Sequence, residues 1–343
     1  PVVTVVPGEN YLDAVNKLLD SATTSIDIHQ FNFFTENGPI KQLAQRLIQM
    51  KKDNPALKIR IALESVKDGD KPDGVAARNA ATKKMFDGTG IDVFDVHGVD
   101  GTDGVSHAKV IVVDGKSVLA GSTNWSNTST TKNNEMNLRV DDPAFACKAT
   151  SWFDDVIAAP GKPHGSSVTD GDVTMMTDTA YFANALSLVK HTKKGDTLDM
   201  SRYWFKSTDP QPAQLLAALR AAAARGVKIR VFLEHSDTIA PGVTAANLKS
   251  AAALIAPVSG ANAVPIQVFF DPLAKISHTK MLIVNKSTVL VGSTNWAAGD
   301  LDDCHQVNWL VKKDPSVAGP MDAWLDKRIT TEGTPASEVL ATH

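Results

Sequence analysis

SHAKVIVVDGKSVLAGSTNW at 106–125 and SHTKMLIVNKSTVLVGSTNW at 277–296 are two versions of one stretch, and they decide how this chain is built. The pentapeptide GSTNW is identical in both. Gly292 follows Gly121 by 171 residues, the interval that also separates His278 from His107. Self-similarity at a fixed interval marks a duplicated structural unit. Working outward, LKIRIALE at 57–64 mirrors VKIRVFLE at 227–234 at an offset of 170, and SIDIHQFNF at 25–33 mirrors TLDMSRYWF at 197–205 at 172. GIDVFDV at 90–96 pairs more loosely with PIQVFFD at 265–271. The repeat therefore spans most of the chain.

Each half reads as a strand, a helix (about 38–52 in the first, PAQLLAALRAAAARG at 212–226 in the second), a strand, a helix, a strand, and then strands around His-x-Lys. Strands that alternate with helices predict an α/β fold with helices on the faces of a sheet. Gly226 stands where a helix-ending glycine is expected, just before a buried strand. The segment 159–178, APGKPHGSSVTDGDVTMMTD, is rich in Gly, Pro, Ser and Asp and reads as a linker. The expected organisation is a repeat over 1–158, a linker over 159–178 and a second repeat over 179–343.

Composition narrows the class. Of the 343 residues 43% are hydrophobic and 21% charged, which is ordinary for a folded domain and excludes disorder. A net charge of −3 argues against a surface that is basic everywhere, although a local positive groove fits within a balanced total. No apolar run approaches the ~20 residues a membrane span needs, and PVVTVVPGENYLDAV does not resemble a secretory signal. The expectation is a soluble protein; the chain begins at Pro, so removal of a leader and secretion stay open, as does the compartment. Cys147 and Cys304 form neither a disulfide framework nor a zinc site.

His107 and Lys109 stand two apart at the head of KVIVVD, a β-branched run that predicts a buried strand, so both side chains should share one face. His278 and Lys280 do the same before MLIVN. Bringing the two repeats face to face would gather two imidazoles and two ammonium groups round one small anion, of which a phosphodiester is the obvious guest. A lone His-x-Lys is usually a surface accident; two copies, each followed by GSTNW, reverse that reading.

His-x-Lys-x-x-x-x-Asp followed by Gly-Ser-x-Asn resembles the signature of the phospholipase D superfamily, and the resemblance covers both halves. It implies two similar α/β/α repeats, each a mixed sheet flanked by helices, related by a pseudo-twofold axis with one active site at their interface and neither metal nor cofactor. It also implies a two-step reaction. One histidine attacks phosphorus to form a phosphohistidine, the other protonates the leaving oxygen, and water or an alcohol completes hydrolysis or transfer. Histidine suits both roles because it titrates near neutrality. Lys109 and Lys280 would compensate phosphoryl charge. Asn124, Asn295, Ser122 and Ser293 match family positions that bond non-bridging oxygens or hold the histidine-bearing loops.

Two departures fall in the second half. Asn285 stands where the first has Asp114, and Gln306 stands eleven residues after Asn295 where Glu135 stands eleven after Asn124. Family members usually carry an acid at the Glu135 position that orients an imidazole; Gln306 can accept a hydrogen bond but cannot stabilise an imidazolium by charge. The imidazole beside Glu135 should be the more basic and that beside Gln306 more easily neutral. Which histidine each reaches is open at this point, with a lean to His107 as nucleophile because its half has the complete motif.

Other residues have plainer readings. Trp125 and Trp296 could line the cleft, but core packing serves as well. His305, next to Gln306, could lie near the site. His29 reads as a buried, hydrogen-bonded histidine. KDGDKPDG at 67–74 lacks the Glu that closes an EF-hand at its twelfth position and reads as a solvated turn.

The superfamily acts on phospholipid headgroups or on nucleic acids, and its motifs do not choose between them. Mild acidity favours a phospholipid at a membrane or micelle surface, since nucleases draw affinity from Lys and Arg contacts to successive phosphates. A DNA or RNA nuclease is the alternative, and a non-catalytic phosphate- or membrane-binding module is a third reading. Both motifs lie in one chain, so a monomer is expected.

Overall fold

The computed structural model describes residues 1–66 and 73–343; the reading of KDGDKPDG lies largely outside the described residues. In the first half the strands are β1 (Val2–Pro7), β2 (Ser25–Gln30), β3 (Lys58–Glu64), β4 (Asp92–Val96), β5 (Lys109–Val113), β6 (Ser117–Gly121) and β7 (Met136–Asp141). In the second they are β8 (Ser166–Asp170), β9 (Val173–Thr177), β10 (Thr197–Arg202), β11 (Lys228–Leu233), β12 (Gln267–Phe270), β13 (Lys280–Val284), β14 (Thr288–Gly292), β15 (Val307–Val311) and β16 (Thr334–Pro335). The first sheet has the order β1-β7-β6-β5-β2-β3-β4, and the second repeats it as β9-β15-β14-β13-β10-β11-β12, with β8 and β16 added at its edges. Both sheets are mixed, since β2, β3 and β4 run parallel while β5 runs antiparallel to β2.

The helices are α1 (Tyr11–Asp20), α2 (Gly38–Asp53), α3 (Val75–Met85), α4 (Asn127–Thr131), α5 (Pro143–Ala158), α6 (Tyr181–Lys190), α7 (Pro210–Arg225), α8 (Pro241–Ile255), α9 (Ala298–Asp302), α10 (Pro315–Glu332) and α11 (Ala336–Leu340). Their starts are written locally: Asp142 accepts from the Ala144 and Phe145 amides ahead of Pro143, and Asp314 from the Ser316 amide ahead of Pro315. The alanine-rich α7 stops at Gly226, which takes φ +100°, the conformation glycine adopts without strain.

Helices α5 and α10 lie between the sheets. Phe145, Trp152 and Phe153 from α5 and Met321 and Leu325 from α10 share one buried cluster with strand residues of both halves, such as Val110 and Val289. Helices α1 and α2 cover the outer face of the first sheet, and α6, α7 and α8 that of the second. The layers therefore run helix, sheet, helix, sheet, helix, which is the expected pair of α/β/α repeats joined through a common middle layer.

The expected linker needs redrawing. Within 159–178 lie β8 and β9, a hairpin turning at Gly171 and Asp172, and β9 pairs with β15 as β1 pairs with β7. We therefore place the start of the second repeat at the hairpin. Val173, Met175 and Met176 bury the side chains that a solvated linker would expose.

Candidate active site

The halves meet through backbone hydrogen bonds placed just ahead of each histidine. The His107 amide donates to the His305 carbonyl at 2.9 Å and the His278 amide to the Asn134 carbonyl at 2.9 Å, with return bonds from the His305 amide to Val105 and the Asn134 amide to Ile276. Each half thus grips the other at the turn that follows its GSTNW segment. His107 and His278 consequently line the same cleft of about 660 Å³.

The glycines of GSTNW make this geometry possible. A Cβ on Gly121 would fall 2.5 Å from the Asn137 Cα, and one on Gly292 would fall 2.5 Å from the Val307 carbonyl oxygen, so no other residue fits between the paired strands. Trp125 and Trp296 are buried in the core rather than at the cleft, each donating its indole N–H to a tyrosine hydroxyl, Tyr11 and Tyr181.

Each imidazole is held crosswise. His278 Nδ1 lies 3.0 Å from the Ser122 carbonyl and 3.1 Å from Glu135 Oε2, both contributed by the other half. His107 Nδ1 lies 3.2 Å from Gln306 Oε1, again from the other half. Each Nδ1 thus faces an oxygen that can accept its proton, which leaves the Nε2 atoms for the cleft. Ser122 donates to Glu135 Oε2 at 2.5 Å, whereas Ser293 bonds the Val307 backbone. Both serines hold the histidine-bearing architecture instead of facing the cleft.

Lys109 and Lys280 are almost completely buried, and each ammonium donates to the carbonyl of the histidine two residues before it. Each also stands over an aromatic ring, Phe31 at 5.2 Å and Tyr203 at 4.9 Å. Burial pushes Lys280 down to about 7, with Glu135 and Asp300 pulling the other way. Lys109 is driven well below its usual range, first by burial and next by the charge of Lys280. Burial also lowers both histidines. His107 is driven furthest, with Lys109, Lys280 and His278 adding repulsion and the Gln306 hydrogen bond opposing; for His278 the charge of Glu135 is the main opposing influence. An anion bound in the cleft would favour the protonated forms of both lysines and both histidines.

Asn124 lines the cleft, and the Oδ1 atoms of Asn124 and Asn295 are buried without a hydrogen-bond partner. Residues 15–157 and 186–329 match the family described as cardiolipin synthase, PLD-like domain. The chain belongs to the phospholipase D-like family. It is 30% identical over 117 residues to the phospholipase D of Rickettsia conorii, a stretch amounting to 34% of this chain and 52% of that protein, so the chain spans about half the length of this curated relative. Among solved structures, the phosphatidylserine synthase of Haemophilus influenzae superposes with a TM-score of 0.74 at 12% identity over 98% of this chain and 88% of that one. The polyphosphate kinase of Porphyromonas gingivalis gives 0.63 at 12% identity over 97% and 48%. At such identity these likenesses speak to the fold.

The phospholipase D-like site contains residues that the sequence reading passed over. Glu64 accepts from the Ser106 amide, and Glu234 and Asp271 both accept from the Ser277 amide at 2.6 and 2.8 Å, so buried carboxylates anchor the residue before each histidine. Burial lifts Glu64 to about 7 and Asp271 to about 6. Their signal lay in the repeat itself, since KIRIALE and KIRVFLE end in the same acid. Asp300, in α9, bonds Asn295 and Gln306 and was also unforeseen. His305 meets the site through its backbone carbonyl, which accepts from the His107 amide, while its ring is tied to Asp178 Oδ2 at 2.8 Å and to the Pro160 carbonyl at 2.7 Å, a brace between the hairpin and the second motif. His29 is buried and bonded to Ser106 and the Ala108 carbonyl.

Proposed function

We propose that the chain cleaves the headgroup phosphodiester of a phospholipid through a phosphohistidine on His107, without a metal. The observation that carries this reading is the pair of imidazoles sharing one cleft, each with Nδ1 capped by an acceptor, one beside a carboxylate and the other beside an amide. His107, the more readily neutral, presents an Nε2 lone pair to phosphorus. As its N–P bond forms, the P–O bond to the headgroup breaks and the leaving oxygen takes the Nε2 proton of His278, whose imidazolium Glu135 favours. Water then gives a proton to His278 and its oxygen to phosphorus, the N–P bond breaks, and His107 is released; an alcohol in place of water gives transfer. Lys109, Lys280, Asn124 and Asn295 are the proposed partners of the phosphoryl oxygens.

Lipid is favoured over nucleic acid by what surrounds the cleft. Arg78 is committed to Glu36 at 2.5 Å and lies 3.5 Å over the Phe34 ring, so it extends no free cationic track for successive phosphates. Val66, Ile239 and Leu273 are exposed apolar residues in the segments after β3, β11 and β12, at the strand ends where the histidines lie, and suit contact with a lipid surface. No helix among the described residues is long and apolar enough to cross a membrane. The test is incubation with phosphatidylcholine vesicles, phosphatidylglycerol vesicles, single-stranded DNA and RNA in EDTA. Headgroup release is expected; cleavage of nucleic acid alone overturns the substrate class, and activity that returns only with added Mg²⁺ or Zn²⁺ overturns the mechanism.

A further inference from the structure

The second half has not lost its acid; the acid has moved. At the repeat interval, Gln306 stands where the first half has Glu135, and Asp300 stands where it has Ser129. Asp300 is buried, with Oδ1 accepting from Asn295 Nδ2 at 3.1 Å and from Gln306 Nε2 at 3.1 Å, and the same oxygen lies 3.7 Å from His107 Nδ1. The hydroxyl of Ser129, its counterpart, accepts from the Asn133 side-chain amide at 3.4 Å, and the carboxylate of that half bonds His278 directly.

We propose that Asp300 is a positioning residue for His107, acting through Gln306. A primary amide is nearly symmetric in shape, so Gln306 alone could turn either its oxygen or its NH₂ to the imidazole. A carboxylate accepts only, which forces Nε2 of Gln306 toward Asp300 and Oε1 toward His107. The imidazole is then held with its proton on Nδ1 and its lone pair on Nε2, the tautomer a nucleophile needs. The groups facing His107 are Lys109 from its own strand, Lys280 and His278 from the other half, the Phe31 ring at 4.9 Å, and the Gln306–Asp300 pair. All the charged ones except Asp300 are cations or become so, and its carboxylate offsets them without forming a direct bond that would hold His107 protonated.

This inference rests on the proposed role of His107, and its test separates the two. Imidazole ¹⁵N spectra of the full chain, compared with a His107→Gln spectrum for assignment, report the tautomer whether or not a substrate is known. Asp300→Ser should shift His107 from a pure Nδ1–H form to a mixture and lower its titration midpoint, leaving His278 unmoved. With p-nitrophenyl phosphodiester as probe, formation of the labelled phosphoenzyme should slow on the order of 100-fold, the scale of a misplaced reacting group. The double variant Asp300→Ser/Gln306→Glu rebuilds the first half's arrangement and should recover the Nδ1–H tautomer while raising the titration midpoint of His107 above that of the parent protein. An unchanged His107 spectrum in a folded Asp300→Ser protein overturns the proposal, as does a double variant that keeps the mixed spectrum and the lowered midpoint of the single one. A shifted spectrum in a protein with no phosphodiesterase activity would uphold the positioning role and overturn the catalytic reading.

Discussion

Binding of a small dianion to the cleft should weaken steeply with rising pH, and sulfate is the probe because it stays doubly charged throughout the range. Lys280 is buried beside the site, and burial brings it down to about 7. The sign follows directly. Below that value the ammonium is present and meets the anion, whereas above it the neutral amine must first capture a proton, so the competent fraction falls tenfold per pH unit. At pH 9 that fraction is about 1%, and the apparent Kd should be about 100-fold weaker than at pH 6. Lys109, depressed by the same burial and by Lys280, can only steepen the slope. Calorimetry at pH 8 in two buffers of different ionisation enthalpy should show uptake of about one proton or more per sulfate. Lys280→Met should bind sulfate weakly even at pH 6 and reduce the slope by about one. A Kd constant within twofold from pH 6 to 9, with no proton uptake, would refute the picture of buried lysines awaiting a counter-charge.

Glu135→Gln removes the carboxylate that opposes the lowering of His278, so the limb of the kcat profile that requires a protonated acid should move toward lower pH; an unmoved limb would show that His278 is not that acid. Asn285→Asp should destabilise the fold by about 0.5–1 kcal/mol in urea denaturation, because the Asn285 amide donates to Asp196 at 2.9 Å and a second carboxylate there would repel it. Adding Asp196→Thr, which copies the first half, should recover the loss.

The paired histidines and lysines were legible because both strands and both glycine turns are written twice, and a strand-sized apolar run behind each His-x-Lys leaves one arrangement that buries it. The hairpin β8–β9 was obscured by the Ser, Thr and Asp of its outer strand, although VTMMT followed a turn at Gly171 and Asp172. The crosswise pairing was not legible at all, since no local pattern says that Glu135 reaches the histidine 143 residues away. The two departures are a sharper lesson. Asp114 accepts from Thr24 Oγ1 at 2.9 Å, and in the second half the roles are exchanged, with Asn285 donating to Asp196. The positions of Glu135 and Ser129 likewise become Gln306 and Asp300 in the second half, where the two side chains bond at 3.1 Å. Read one position at a time, each change looks like the loss of a carboxylate. Read as pairs of positions, each keeps one carboxylate and one hydrogen-bond donor while moving the charge to the neighbouring element. In the loop this leaves the tie between Asn285 and the start of β10 intact. At the cleft the same exchange has a chemical consequence, because setting the charge back behind an amide leaves His107 an oriented imidazole that is more easily neutral than His278, whose Nδ1 faces the Glu135 carboxylate directly.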